Sequence, residues 1–119
     1  MATAVKRKLS GSTDGKAIKV AATATAGTTI HTAVSGTTAG TFDEIWLWAY
    51  NGHTSDVVLT LEWGGVTVPD QNIIMTIPTK QGLTLVVPGF ILQNGMVVGA
   101  FAGTTNVITI TGYVHAITD

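Results

Sequence analysis

His31, His53 and His115 are the side chains of this sequence best suited to holding a metal or moving a proton. None stands in an H-x-H or H-x3-H pair, so no local spacing aims two imidazoles at one ion. His31 and His115 lie in strand-like sequence and His53 in a turn. All three read as structural histidines unless the fold gathers them. A Ser-His-Asp relay needs a nucleophile held on a strained turn. No G-x-S-x-G occurs, and Ser10, Ser12, Ser35 and Ser55 all sit in ordinary turn-like sequence. Asp43 and Glu44 are adjacent, and adjacent residues on a strand point to opposite faces, so they do not make an acid–base pair. Glu62 reads as an exposed strand residue. No P-loop or dinucleotide fingerprint is present. Cysteine is absent, which excludes a disulfide framework, thiolate zinc and a thiol nucleophile. The expectation is a non-enzymatic protein with no metal and no cofactor.

The elements that would carry these residues are short strands. Thr, Val and Ile recur between clusters of Gly, Pro, Asn and Asp, and no long stretch shows helical period. The pattern predicts strands at Ala17–Thr23, Thr29–Val34, Glu44–Tyr50, Val57–Trp63, Ile73–Ile77, Leu83–Val87, Met96–Phe101 and Val107–His115. Val5–Leu9 adds a ninth at a sheet edge, or an extended arm. Leu92-Gln93-Asn94-Gly95-Met96 carries the firmest turn signal, because a type I′ hairpin needs positive φ at both central positions. Pro78 and Pro88 are placed at strand ends, where a missing N–H breaks no ladder bond. At 119 residues the chain is one domain. The expected fold is all-β, a single-domain antiparallel β-sandwich, with about eight strands suiting a jelly roll.

One strand is apolar on both faces. In DEIWLWAYN, Trp46, Trp48 and Tyr50 share one parity, and Ile45, Leu47 and Ala49 share the other. The small aliphatics ending at a turn favour their side as the inner one. A four-residue loop at Gly52–Ser55 would favour the aromatics instead, and both parities stay open. Either way a second apolar face needs cover. Charged residues make up 11% of the chain against about 25% in a typical domain, which fits a surface partly covered by other proteins. Trp46, Trp48 and Tyr50 are therefore the candidate subunit or partner interface.

Charge is uneven along the chain. Lys6, Arg7, Lys8, Lys16 and Lys19 precede residue 20, whereas the rest holds Lys80 against six carboxylates. Residues 1–19 read as a basic N-terminal arm or edge strand, and 20–119 as the sandwich. Lys6, Arg7 and Lys8 are the candidate docking arm for an acidic protein surface. No aromatic interleaves them, so nucleic acid is not the expected partner. No apolar run is long enough to span a bilayer, and no signal-peptide core follows the N-terminal charges. Cytoplasmic synthesis without a secretion signal is expected.

TTIHTAVSGTTAGTFDEIWLWAYNG, LTLEWGG, LVVPGFILQNGMVVGAFA and ITGYVHAI follow one another between Thr28 and Ile117. This succession resembles small head proteins of tailed bacteriophages, the capsid decoration or cement proteins. The resemblance is one of overall pattern and carries over no site residue. It implies a jelly-roll β-sandwich, often trimeric, bound outside an assembled capsid. The implied partners are further copies of the chain and the major capsid protein, with the virion exterior as location. The alternative is a phage tail or fibre module that binds host-surface carbohydrate through the aromatics.

Overall fold

The pleat of a strand turns every second side chain to one face, so one parity can fill a core. The computed structural model describes residues 2–119. Among them are nine strands: β1 (Thr3–Lys8), β2 (Ile18–Lys19), β3 (Thr28–Thr32), β4 (Phe42–Asn51), β5 (Val57–Trp63), β6 (Asn72–Ile77), β7 (Thr84–Leu92), β8 (Val97–Ala102) and β9 (Ile108–Thr118). They form two antiparallel sheets. The first, sheet A, runs β1-β9-β4-β7, with β2 also on β9, and the second, sheet B, runs β3-β8-β5-β6.

The pairing is nested. β5 pairs β6, β4 pairs β7, β3 pairs β8, and β1 with β2 pairs β9. A long hairpin with its tip at the β5–β6 connection gives these pairs, and rolling it up adds the β4–β9 and β5–β8 contacts. That is a jelly roll, with β1 and β2 sharing the place of one strand. The core lies between the sheets. Ile45, Leu47 and Ala49 of β4, Leu59 and Leu61 of β5, Val98 and Ala100 of β8, and Ile108 and Ile110 of β9 are all fully buried. Each fully buried Leu or Ile contributes roughly 1.5–3 kcal/mol.

The segment 2–19 is built into this body. β1 pairs with β9 from Thr3↔Thr118 to Lys8↔Tyr113. Leu9 and Ile18 are in the core, and Ser12 is buried. The segment has the edge-strand form, and no boundary in the core falls at residue 20.

Two local expectations are corrected by the topology. Asn94 and Gly95 both have φ of 65°, as a type I′ turn requires. Yet the strands they join do not pair with each other: β7 belongs to sheet A and β8 to sheet B. The turn carries the chain across the sandwich, so there is no hairpin. Gly95→Val is expected to cost about 1–2 kcal/mol, since open space surrounds the position and the penalty is the positive φ alone. A denaturant melt matching wild type would show that the turn relaxes at no cost. Pro88 lies inside β7, which runs through to Leu92. β7 is an edge strand whose register shifts at two places on either side of Trp46–Leu47, and an edge tolerates a residue without an N–H.

Candidate functional site

β4 places its aromatics outside. Its burial alternates strictly, with Ile45, Leu47 and Ala49 at zero exposure and Trp46, Trp48 and Tyr50 half-buried on the outer face of sheet A. The bulky rings stay out because the space between the sheets is already filled by aliphatic side chains of β5, β8 and β9.

Register then supplies a ring that β4 does not contain. Trp46 stands opposite Tyr113 of β9. The ring centroids of Trp46, Trp48 and Tyr113 lie 6.3, 6.5 and 6.0 Å apart, with planes within 32° of one another. Three near-parallel rings at the corners of a near-equilateral triangle form a cluster, not a column, because a column of stacked rings would double one distance. Trp46 also covers the backbone at Gly89, where a Cβ would come within 2.8 Å of its ring. Tyr50 shares the face but forms no ring pair among the described residues; Tyr113 takes the third corner. Sequence reading missed Tyr113 because its partnership depends on a pairing between residues far apart in the chain.

Polar groups border the rings. The Trp46 indole Nε1–H donates to Glu44 Oε1 at 2.8 Å, and His115 Nδ1 lies 3.1 Å from the same oxygen. Lys6 Nζ sits 4.5 Å above the centre of Tyr113, in cation–π range. The three basic residues of β1 diverge, since the pleat sends Arg7 to the opposite face from Lys6 and Lys8. Lys8 Nζ donates to the Ser12 carbonyl at 3.0 Å. Arg7 lines a crevice of about 300 Å³ with His31, Thr32, Val34, Asp43, Ala116 and Thr118.

The Glu44 carboxyl is held below the usual glutamate value of 4.5, first by the Trp46 N–H bond and then by His115, with partial burial acting the other way. Its folded pKa is thus below its unfolded one. The linked stability is fully present above the unfolded value and is lost as pH falls through the lower folded value. Acidification from about pH 6 to about pH 3 is expected to change tryptophan emission with a midpoint below that of a free glutamate. Glu44→Gln should remove this step. A step that persists in the variant belongs to another group.

His31 and Asp43 are 4% and 6% exposed, with His31 Nε2 2.7 Å from Asp43 Oδ2. The Ser10 backbone N–H donates to His31 Nδ1 at 3.0 Å, so that nitrogen is an acceptor and the proton shared with Asp43 sits on Nε2. The Ser10 hydroxyl oxygen accepts the Thr32 N–H instead of meeting the imidazole. Ser10, His31 and Asp43 therefore tie the turn after β1 to β3 and β4 and lack the order of a nucleophilic relay. His31, His53 and His115 are not gathered, and no group of three metal-ligating side chains occurs among the described residues.

Glu62 overturns its expectation. It is 3% exposed, although it faces away from the core, because Thr25 and Gly27 of the loop before β3 close over its carboxylate. The Gly27 N–H donates to its Oε1 at 2.6 Å, and the Thr25 hydroxyl donates to Oε2. A carboxylate with two donors can pin a loop that has little apolar surface of its own. A Cβ at Gly27 would meet the Ala100 carbonyl oxygen at 2.5 Å, which is why the loop needs glycine there. Asn51, with no exposure, pins the β4–β5 turn similarly: its Nδ2 donates to the carbonyls of Ser55 and Ile77, and its Oδ1 accepts the His53 N–H.

No family model, curated protein or solved structure matches this chain.

Proposed function

We propose that this is a non-enzymatic structural protein of a phage virion, a decoration or cement protein that binds the outside of an assembled head. The observation that carries the reading is the outer face of sheet A. Trp46, Trp48 and Tyr113 sit there half-exposed on a rigid sheet, bordered by Lys6 and the Glu44–His115 pair. Clustered aromatics ringed by polar groups are the make-up of a protein-interface centre. In this reading the face contacts the major capsid protein or a neighbouring copy in the trimer that the resemblance implies. Binding only to the assembled shell would stabilise it by mass action. Counting copies per virion tests the proposal: hundreds place the protein on the shell, and a few dozen or fewer overturn that place.

A second reading is carbohydrate binding by a tail or fibre module. The cluster of half-exposed rings next to Glu44 and His115 favours it, because sugar rings stack on exposed aromatic faces. Lys6 already covers one face of Tyr113, which leaves the two tryptophans for such a ligand. Binding on a glycan array that Trp46→Ala abolishes would select this reading over the first.

In the shell reading, β1 contributes through its charges. Replacing Lys6, Arg7 and Lys8 together with Ser should keep the fold, since all three side chains are exposed and the backbone ladder to β9 remains. Binding to bare heads should weaken severalfold at low salt and change little at high salt. Equal loss at both salt concentrations would show that the segment acts by shape rather than charge.

A further inference from the structure

A β-sheet edge exposes a row of unpaired N–H and C=O groups, and soluble proteins guard such edges. This jelly roll has four. The β1 edge carries Lys6, Arg7 and Lys8, all exposed. The β3 edge is short, has a register shift between Thr29 and His31, and is covered by the turn after β1: the Gly11 N–H donates to the Ile30 carbonyl, and the Thr32 N–H to Ser10 Oγ. The β7 edge contains Pro88 and two register shifts. The β6 edge, NIIMTI, has no charge, no proline and no shift along its pairing with β5.

The groups that β6 leaves open can be identified. The Trp63 N–H donates to the Gln71 carbonyl, so Trp63 and Gln71 are a hydrogen-bonded pair. Such pairs alternate along an antiparallel ladder. Ile73, Met75 and Ile77 therefore bond to β5, and Asn72, Ile74 and Thr76 turn their backbone groups outward. The other side of β5 agrees, because the Gly103 N–H bonds to the Val58 carbonyl, and Val58 faces Thr76. The Asn72 N–H is taken by the Pro69 carbonyl. The N–H groups of Ile74 and Thr76 have no partner among the described residues. Ile74 is also 64% exposed, on the same outer face as the exposed Val58.

We propose that the β6 edge pairs with β6 of a second copy of this chain, antiparallel about a two-fold axis at Ile74. The ladder is self-complementary. Ile74 exchanges both backbone bonds with its twin, and each Thr76 N–H donates to the partner's Asn72 carbonyl. No charge on β6 opposes the approach of an identical strand, and the Ile74 side chains meet across the axis, where apolar cross-strand pairs stabilise a sheet. A two-fold contact of this kind uses one patch on both subunits and closes on itself. Sheet B becomes continuous through both copies, and the aromatic face of sheet A stays free. The pairing therefore stands apart from the head-binding reading, and it adds a link between trimers if those also form.

Sedimentation of the purified chain at about 100 μM is expected to show a dimer, or six copies where trimers also assemble. Residue-level hydrogen exchange should show the Ile74 and Thr76 amides protected in concentrated solution and exchanging freely on dilution, with the Ile73 and Met75 amides protected in both. Ile74→Lys puts like charges across the axis and should raise the dissociation constant about 30-fold or more. Ile74→Pro removes an N–H that β5 does not use and should have the same effect, so the pair of variants survives a folding defect in either. A wild type that is monomeric or strictly trimeric overturns the proposal. So does an oligomer in which the Ile74 and Thr76 amides exchange freely, or one that both variants leave intact. Copy number on virions is read separately, so failure of the head reading leaves these results unchanged.

Discussion

Under the proposed head-binding role, Trp48→Ser is expected to lower affinity for assembled heads by about 30-fold or more while the domain stays folded, the size of a central aromatic hot spot. The side chain projects from the outer face of sheet A, against the rings of Trp46 and Tyr113. Beneath it on the same strand, Leu47 and Ala49 fill the core with no exposure. Truncation should remove the partner's anchor and two ring contacts, and leave the inter-sheet packing untouched. The loss within the subunit should be about 1–3 kcal/mol, two ring pairs at about 0.5–1.5 kcal/mol each. A core tryptophan would behave otherwise, with truncation costing about 3–5 kcal/mol and the domain melting early. Head-binding isotherms and thermal melts of the same preparation separate the two. Full binding with normal melting would remove the aromatic face from the interface. Sedimentation should show the β6 pairing unchanged in this variant, since the two surfaces lie on different sheets.

Gly112→Ala should be the most damaging single methyl in the molecule. Gly112 stands opposite Leu47, where β9 and β4 run side by side in the middle of sheet A. A Cβ at this position would fall on the Trp46 carbonyl oxygen, 3.0 Å from its carbonyl carbon and 3.1 Å from the Leu47 Cα. Every one of these is backbone, so no rotamer change makes room. The two strands must separate, and that strains a ladder that extends from Phe42↔Ile117 to Asn51↔Ile108. Overpacking typically costs 1–3 kcal/mol, and with backbone as the obstacle about 3 kcal/mol or more is expected, roughly 10 °C in melting temperature. A variant melting with wild type would show that β4 and β9 do not approach this closely in solution. The rings of Trp46 and Tyr113 ride on these same strands, so a displaced Gly112 should also weaken head binding.

The fold class and most of the strands are legible in the residues alone. Period-2 alternation between clusters of turn residues depends on local chemistry alone, and Val57–Trp63 was legible to the residue. That Asn94-Gly95 turns the chain is legible there too, because positive φ is a property of those two residues. Local chemistry does not say which strands lie side by side. Long-range pairing puts β7 and β8 in different sheets, lets Pro88 stand inside an edge strand, and makes residues 2–19 part of the body. Tertiary packing decided the parity of β4 as well, since either set of side chains could fill a core and only the aliphatics of the facing sheet settle which does. Glu62 shows the limit most plainly. Its position in an alternating strand reads as solvent-facing, and it does face outward. It is buried because a loop more than thirty residues earlier in the chain folds over it and donates two hydrogen bonds to its carboxylate. Tyr113 joins the tryptophans by the same logic: β9 is separated from β4 by most of the jelly roll, and only closure of sheet A brings the rings together.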